Sequence, residues 1–243
     1  MRAADAALAA VAFLTRIPVR RALGPDDVAR GAVLFPLVGG GVGALSGVAV
    51  LLLYPSVPAL AAAGVAVAVE LVVTGAMHVD ALADIADAAG AQTREQALEI
   101  MRDSRIGSFG AAALMVDLLT RAAAIAGLAG SPVAALVAAG ALSRAASLPL
   151  AAAMPYARAE GGPGSVLTGR MGWTSAVLAA LVALGVAIGV RGLDGIWAAA
   201  GAAGAALVLG LLFRRWLGGV TGDALGAVTE LSGTVALLVL VAT

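Results

Sequence analysis

The sequence predicts an all-α fold, a polytopic transmembrane helical bundle of about seven spans with a short N-terminal interfacial helix. Three observations predict it. Of the 243 residues, 61% are hydrophobic and only 12% are charged, where a soluble domain carries about 25% charged residues; mean hydropathy is +1.01. The apolar residues also fall in runs close to the roughly 20 helical residues that cross a hydrocarbon core. Finally, the 32 glycines and abundant alanines suit helices whose backbones approach closely in lipid.

In chain order, residues 3–14 form an apolar run too short to span, which reads as an interfacial or packed N-terminal helix. Runs over 33–53, 57–77, 106–130, 132–154, 173–190, 195–213 and 224–242 predict the seven spans, of which the fifth and sixth are minimal in length and Gly-rich. Pro, Gly or charged residues separate them, as loops require. The opening stretch "MRAADAALAAVAFLTRIPVRR" superficially resembles a signal peptide, but Asp5 breaks its apolar run and no polar domain follows, so no cleavage is expected. Residues 1–243 read as a single integral-membrane catalytic domain.

Arginine sets the expected orientation. Arg2, Arg16, Arg20, Arg21, Arg30, Arg94, Arg102, Arg105, Arg158, Arg170, Arg214 and Arg215 fall on one side of the seven spans, against Arg191 alone on the other. By the positive-inside bias the N-terminus and every long polar loop are cytoplasmic, in a cytoplasmic (inner) membrane. A formal net charge of zero argues against a nucleic-acid partner. With no cysteine there is neither a disulfide framework nor a thiolate metal site. The expected partners are small molecules and membrane lipids, with a homo-oligomer open.

"HVDALADIADA", residues 78–88, concentrates Asp80, Asp84 and Asp87 behind His78, the only histidine. The spacing i, i+4, i+7 puts the three carboxylates along one helical face, in the polar segment 79–105. Three unneutralised acids repel one another unless a cation sits among them. A hard ion such as Mg²⁺ takes oxygen ligands and bridges one or two carboxylates to substrate phosphates. A solvated loop of helix-capping aspartates is the plainer reading, but scarce charge at a membrane boundary favours the metal site. For His78, an interfacial hydrogen-bonding role and a ligand role weigh equally.

"REQALEIMRDSRIGSFG", residues 94–110, begins as an amphipathic helix with Ala97, Leu98 and Met101 on one face. It then supplies Arg102, Asp103, Ser104, Arg105 and Gly107 immediately before the third span. Arginine forks suit phosphate oxygens, and amides at a Gly-rich helix start favour anions. Acids followed by this basic stretch suit metal-assisted phosphoryl transfer; positive-inside anchoring is the plainer account of the arginines. Near the C-terminus, Asp223 opens the last span as an N-cap or as a fourth metal or substrate carboxylate.

Glu70, Asp117, Arg121, Arg144 and Glu230 fall inside predicted spans, where charge is expensive and faces the bundle interior. Asp117 and Arg121, four apart, are expected to pair with each other. Glu70 and Glu230 lie at a similar depth of roughly 10 Å by helix rise; they are expected in buried ion pairs, with Arg144 a candidate partner, and lining a polar cavity that opens toward the aspartates is the alternative.

Taken in order, "FLTRIPV", "FPLVGGGVGAL", "HVDALADIADA", "ALEIMRDSRIGSFG", "SR", "PYAR" and "GGVTGDALGAVTEL" resemble the adenosylcobinamide-GDP ribazoletransferase (cobalamin synthase) family, from about Phe13 to Leu231. The resemblance implies a multi-pass enzyme of late cobalamin synthesis. It would join adenosylcobinamide-GDP to α-ribazole or its 5′-phosphate, giving adenosylcobalamin or its phosphate and releasing GMP, with Mg²⁺. Its acidic motif falls on Asp80, Asp84 and Asp87, its "DS-x-IG" element on Asp103, Ser104, Ile106 and Gly107, and its "TGD" on Thr221, Gly222 and Asp223. The chain departs from the family at Ala81 and Ala88, where Gly is usual, at Ile85, where Thr is usual, and at Gly233, where a second Glu is usual. The implied catalytic and metal residues are Asp80, Asp84 and Asp87, with Asp223 a further ligand. Substrate contacts fall to His78, Arg102, Asp103, Ser104, Arg105, Gly107, Thr221, Gly222 and Asp223. The ribazole 5′-oxygen is the expected nucleophile on the cobinamide-bearing phosphorus.

Two rivals are weighed. A CDP-alcohol-type phosphotransferase uses D-x₂-D-G-x₂-A-R followed by G-x₃-D-x₃-D, which residues 80–110 do not show. An ion-coupled transporter would use Glu70, Asp117 and Glu230 and predicts inverted repeats; the two halves show no convincing repeat.

Overall fold

The protein is described by a computed structural model covering residues 2–128 and 131–243. The end of the run expected over 106–130 and the glycine of the "GSP" turn lie outside the described residues. The helices are α1 (Arg2–Leu14), α2 (Pro25–Gly31), α3 (Phe35–Leu53), α4 (Ala59–Thr74), α5 (Met77–Ala88), α6 (Arg94–Ile100), α7 (Ser108–Gly127), α8 (Pro132–Ala146), α9 (Leu148–Ala153), α10 (Trp173–Arg191), α11 (Leu193–Trp216) and α12 (Gly222–Ala242). Among the described residues, six helical segments are long and apolar enough to cross a membrane, or seven if the bent pair α4–α5 is counted as one. No strand forms among them; one isolated parallel bridge joins Tyr156 to Val220.

The two most enclosed spans are α8, continued by α9, and α12. Glycines admit α3 against α8: a β-carbon at Gly39 would run into the Gly140 carbonyl, and one at Gly43 into that of Leu136. The four-residue spacing keeps both on one helical face, so backbone meets backbone there. Leu52, Val72, Leu119, Trp197 and Val208 are exposed on the outer faces, where lipid is their natural solvent. The run over 3–14 forms α1, whose Ala6, Ala9, Ala10 and Leu14 are buried, so it packs into the bundle instead of floating beside it.

The span expected over 57–77 ends early. The chain leaves α4 at Thr74 and turns by 92° into α5, through Gly75 at φ 68° and Ala76 at φ 59°. Gly75 permits the left-handed turn and leaves room for Arg16, whose Cδ would lie 2.6 Å from a β-carbon there. The amide of Arg16 donates to the Val73 carbonyl at 2.7 Å, tying the N-terminal segment to the bend. Helix α5, with its aspartates, therefore lies across one end of the bundle, outside the spanning segments.

The intramembrane charges meet across four spans. Arg121 of α7 pairs with Glu70 of α4 and Glu230 of α12, and Arg144 of α8 reaches the other Glu70 oxygen at 2.9 Å. The expected Asp117–Arg121 pair does not form among the described residues: Asp117 accepts from the Thr234 hydroxyl at 2.7 Å. Both sit on one face of α7, but the guanidinium is long enough to cross to α4 and α12, where Glu230 has no other ion-pair partner among the described residues and Glu70 shares Arg144.

Candidate active site

At the end of the bundle where α5 lies is a cavity of about 200 Å³, lined among others by His78, Asp80, Arg144, Arg158, Gly222 and Asp223. One wall is apolar, with Phe13 stacked on Phe35 at 5.5 Å. Three distant pieces of chain supply the polar wall. Helix α5 brings His78, buried at its first turn, and Asp80, exposed at the mouth. The "PYAR" segment brings Arg158 and the start of α12 brings Asp223. Two backbone hydrogen bonds align those last two, from Ala157 N to the Val220 carbonyl at 2.8 Å and from Val220 N to the Pro155 carbonyl at 3.0 Å. Arg94 fastens the same junction by donating to the Leu217 and Ala157 carbonyls at 2.6 and 2.8 Å.

Arg158 Nη2 donates to Asp223 Oδ2 at 2.6 Å. Asp84, one turn beyond Asp80, has no such partner among the described residues. Burial, reinforced by the neighbouring Asp223, Asp80 and Asp87, pushes its carboxyl up to about 7 against the pull of Arg158. Asp80, Asp84 and Asp223 thus share one electrostatic neighbourhood that is short of positive charge.

The other expected site residues lie elsewhere. Asp87 turns to the start of α7, accepting from Gly107 N at 2.7 Å and Gly110 N at 2.8 Å. Gly107 has no side chain to cap that helix, so Asp87 caps it across space. A β-carbon at either glycine would strike the carboxylate. Gly107 therefore serves this contact at the helix start. Arg102 pairs with Glu160. Arg105 grips Asp103 at 2.5 Å in an exposed turn, and that bond first of all holds the Asp103 carboxyl down at about 2. Ser104 is exposed between them. Thr221 is fully buried and caps α12, its hydroxyl accepting from Ala224 N at 3.0 Å. Among the described residues, no three acidic or imidazole side chains converge as a metal cage.

Sequence reasoning passed over Arg158 and Arg144 as site residues. Arg158 counted only toward the positive-inside bias and Arg144 only as an intramembrane charge. The signal was their place in "PYAR" and "SR", two of the ordered motifs, but nothing local ties either to the aspartates.

Fold and site together define a multi-pass helical bundle with an acidic, arginine-flanked cavity at one end, a setting whose arginine suits phosphate-bearing small molecules. The cobalamin-5-phosphate synthase family model matches residues 6–241, and the chain belongs to that family. It is 39% identical over 241 residues to adenosylcobinamide-GDP ribazoletransferases of Escherichia coli O157:H7 and Shigella flexneri, covering 96% of this chain and 97% of each relative. A relative of the same name from Escherichia coli O45:K1 matches equally. No solved structure matches.

Proposed function

We propose that this chain joins adenosylcobinamide-GDP to α-ribazole or its 5′-phosphate and releases GMP, acting from the cytoplasmic face of the membrane with Mg²⁺. The observation that carries the reading is the convergence of Asp80, Asp223 and Arg158 on one cavity, with Asp84 beside them, in a chain of this family. Orientation rests on the arginine asymmetry of the loops.

The donor set fits a hard divalent ion. Asp84 is a half-buried carboxyl crowded by other acids, and Mg²⁺ needs only one or two carboxylates when phosphates and waters complete its shell. Asp80 and Asp84 would hold it, with Asp223 adjacent; Asp87 is already committed to α7. When bound, the ion would neutralise charge on the diphosphate. The cavity is smaller than the about 300–1,000 Å³ usual for small-molecule sites. It would hold only the reacting phosphates and the nearest part of the acceptor, with the corrin ring outside.

The expected nucleophile changes. The family's product is named a 5-phosphate, so in that reaction the 5′-oxygen already carries a phosphate and cannot attack. A ribose ring hydroxyl attacks the cobinamide-side phosphorus instead. The bond from that phosphorus to the bridging oxygen breaks, GMP leaves with the oxygen, and a cavity carboxylate accepts the hydroxyl proton. Arg158 supplies positive charge at the wall, and the cavity orients the two reactants.

Transport is disfavoured by the ion pairs: Glu70 and Glu230 are held by Arg121 and Arg144 and are not free to carry an ion. The test is GMP release from labelled adenosylcobinamide-GDP by protein purified in detergent. Release that requires Mg²⁺ and an acceptor is expected. No release with either acceptor would refute the assignment.

A further inference from the structure

Two buried polar atoms beside the cavity have no hydrogen-bond partner among the described residues, Arg158 Nε and the Tyr156 hydroxyl. Native folds leave few such atoms, and each calls for a reason. We infer that Arg158 and Tyr156 form a buried subsite for the terminal phosphate of a nucleotide, set into the cavity wall beside the aspartates.

The Arg158 side chain is nine-tenths buried, 10% exposed. Asp223 takes one of its five donors, through Nη2, while Nε–H is left over. A guanidinium presents its donors as a rigid fork that fits two phosphate oxygens at once. Tyr156 stands behind the thin part of the wall made by Gly164 and Gly222, both of which line the cavity. A β-carbon on Gly222 would lie 4.0 Å from the tyrosine hydroxyl, and one on Gly164 would lie 3.2 Å from its ring and 2.7 Å from Gly222 Cα. Two glycines at this point keep the hydroxyl close to the cavity. A purely structural tie between "PYAR" and α12 accounts for the Arg158–Asp223 bond. It leaves both unpartnered donors unexplained, whereas a phosphate that enters the wall between Gly164 and Gly222 would satisfy both.

The inference rests on the transferase reading, which offers two such phosphates: the 5′-phosphate of the acceptor and the phosphate of departing GMP. Arg158→Gln, Arg158→Lys and Tyr156→Phe separate them. Tyr156→Phe removes only an unpartnered hydroxyl and keeps the fold. If the acceptor's phosphate sits here, KM for α-ribazole 5′-phosphate rises about tenfold or more in Arg158→Gln, by the worth of a charged hydrogen bond. It rises less in Arg158→Lys and Tyr156→Phe, and in every variant KM for α-ribazole, which lacks the phosphate, rises by a smaller factor than KM for α-ribazole 5′-phosphate. If GMP's phosphate sits here, inhibition by added GMP weakens by a similar factor and the two acceptors do not separate. Calorimetric titration of the detergent-solubilised protein with α-ribazole 5′-phosphate and with GMP reads the subsite without turnover. An absence of GMP release by the wild type would thus fall on the transferase reading and not on the subsite. Folded variants with neither an acceptor split, nor altered GMP inhibition, nor weakened binding of either nucleotide would overturn the inference.

Discussion

Replacing Arg121 by Gln removes the cation that Glu70 and Glu230 share. Glu70 keeps Arg144 at 2.9 Å. Glu230 loses its ion-pair partner, and its side chain is only 4% exposed. In the span network, Glu70, Asp117 and Glu230 would then face Arg144 alone. Breaking a buried pair by deleting one member costs about 3–5 kcal/mol, because the remaining charge stays desolvated. In a chain of this length each kcal/mol moves the melting temperature by roughly 2–4 °C, so a fall of about 6–20 °C is expected. Thermal unfolding in detergent micelles, followed by tryptophan fluorescence, reads it directly. The double variant Arg121→Gln/Glu230→Gln withdraws the stranded charge and should recover part of the loss, a coupling of about 0.5–3 kcal/mol. A single variant that melts with the wild type, or a double variant no better than the single one, would refute the network as the element tying α4, α7, α8 and α12 together.

Four further outcomes are expected. Asp84→Asn should lower turnover at least about 100-fold, as losing one preorganised electrostatic contact does, and should raise the Mg²⁺ needed for half-maximal rate; an unchanged Mg²⁺ titration would exclude Asp84 as a ligand. The carboxyl of Asp84 is raised to about 7, so metal-free protein should lose stability as pH rises from the ordinary carboxylate range through 7. Below pH 7 its proton must leave before the ion binds, so half-saturating Mg²⁺ should increase by about tenfold per pH unit; a flat profile between pH 6 and 8 contradicts this. Asp87→Asn should instead free the start of α7, seen as faster amide exchange at Gly107 and Gly110, with the Mg²⁺ titration unmoved; a shifted titration would return Asp87 to the metal site. Single cysteines in place of Ala91 and Ser131 should label from opposite sides of the membrane, and same-side labelling would break the seven-span topology.

The sequence by itself determined the helical membrane class, the run of spans and the shared helical face of the acids in residues 78–88. These depend on hydropathy and on three- and four-residue spacing within one helix, which is local information. It also marked Glu70 and Glu230 as buried ion-pair members from charge at equal depth. Partner choice was decided only in three dimensions. Asp87 shares a helical face with Asp80 and Asp84, yet the start of α7, 20 residues on, claims it because Gly107 has no side chain with which to cap its own helix. Arg121 ignores Asp117 because two carboxylates from other spans stand within its reach. Arg158 meets Asp223 across 65 residues because two backbone hydrogen bonds lay "PYAR" beside "GGVTGD". Spacing along the chain says which residues share a helix face; which charge meets which across the bundle follows from how closely the helices and end loops pack, and that is a property of the assembled structure.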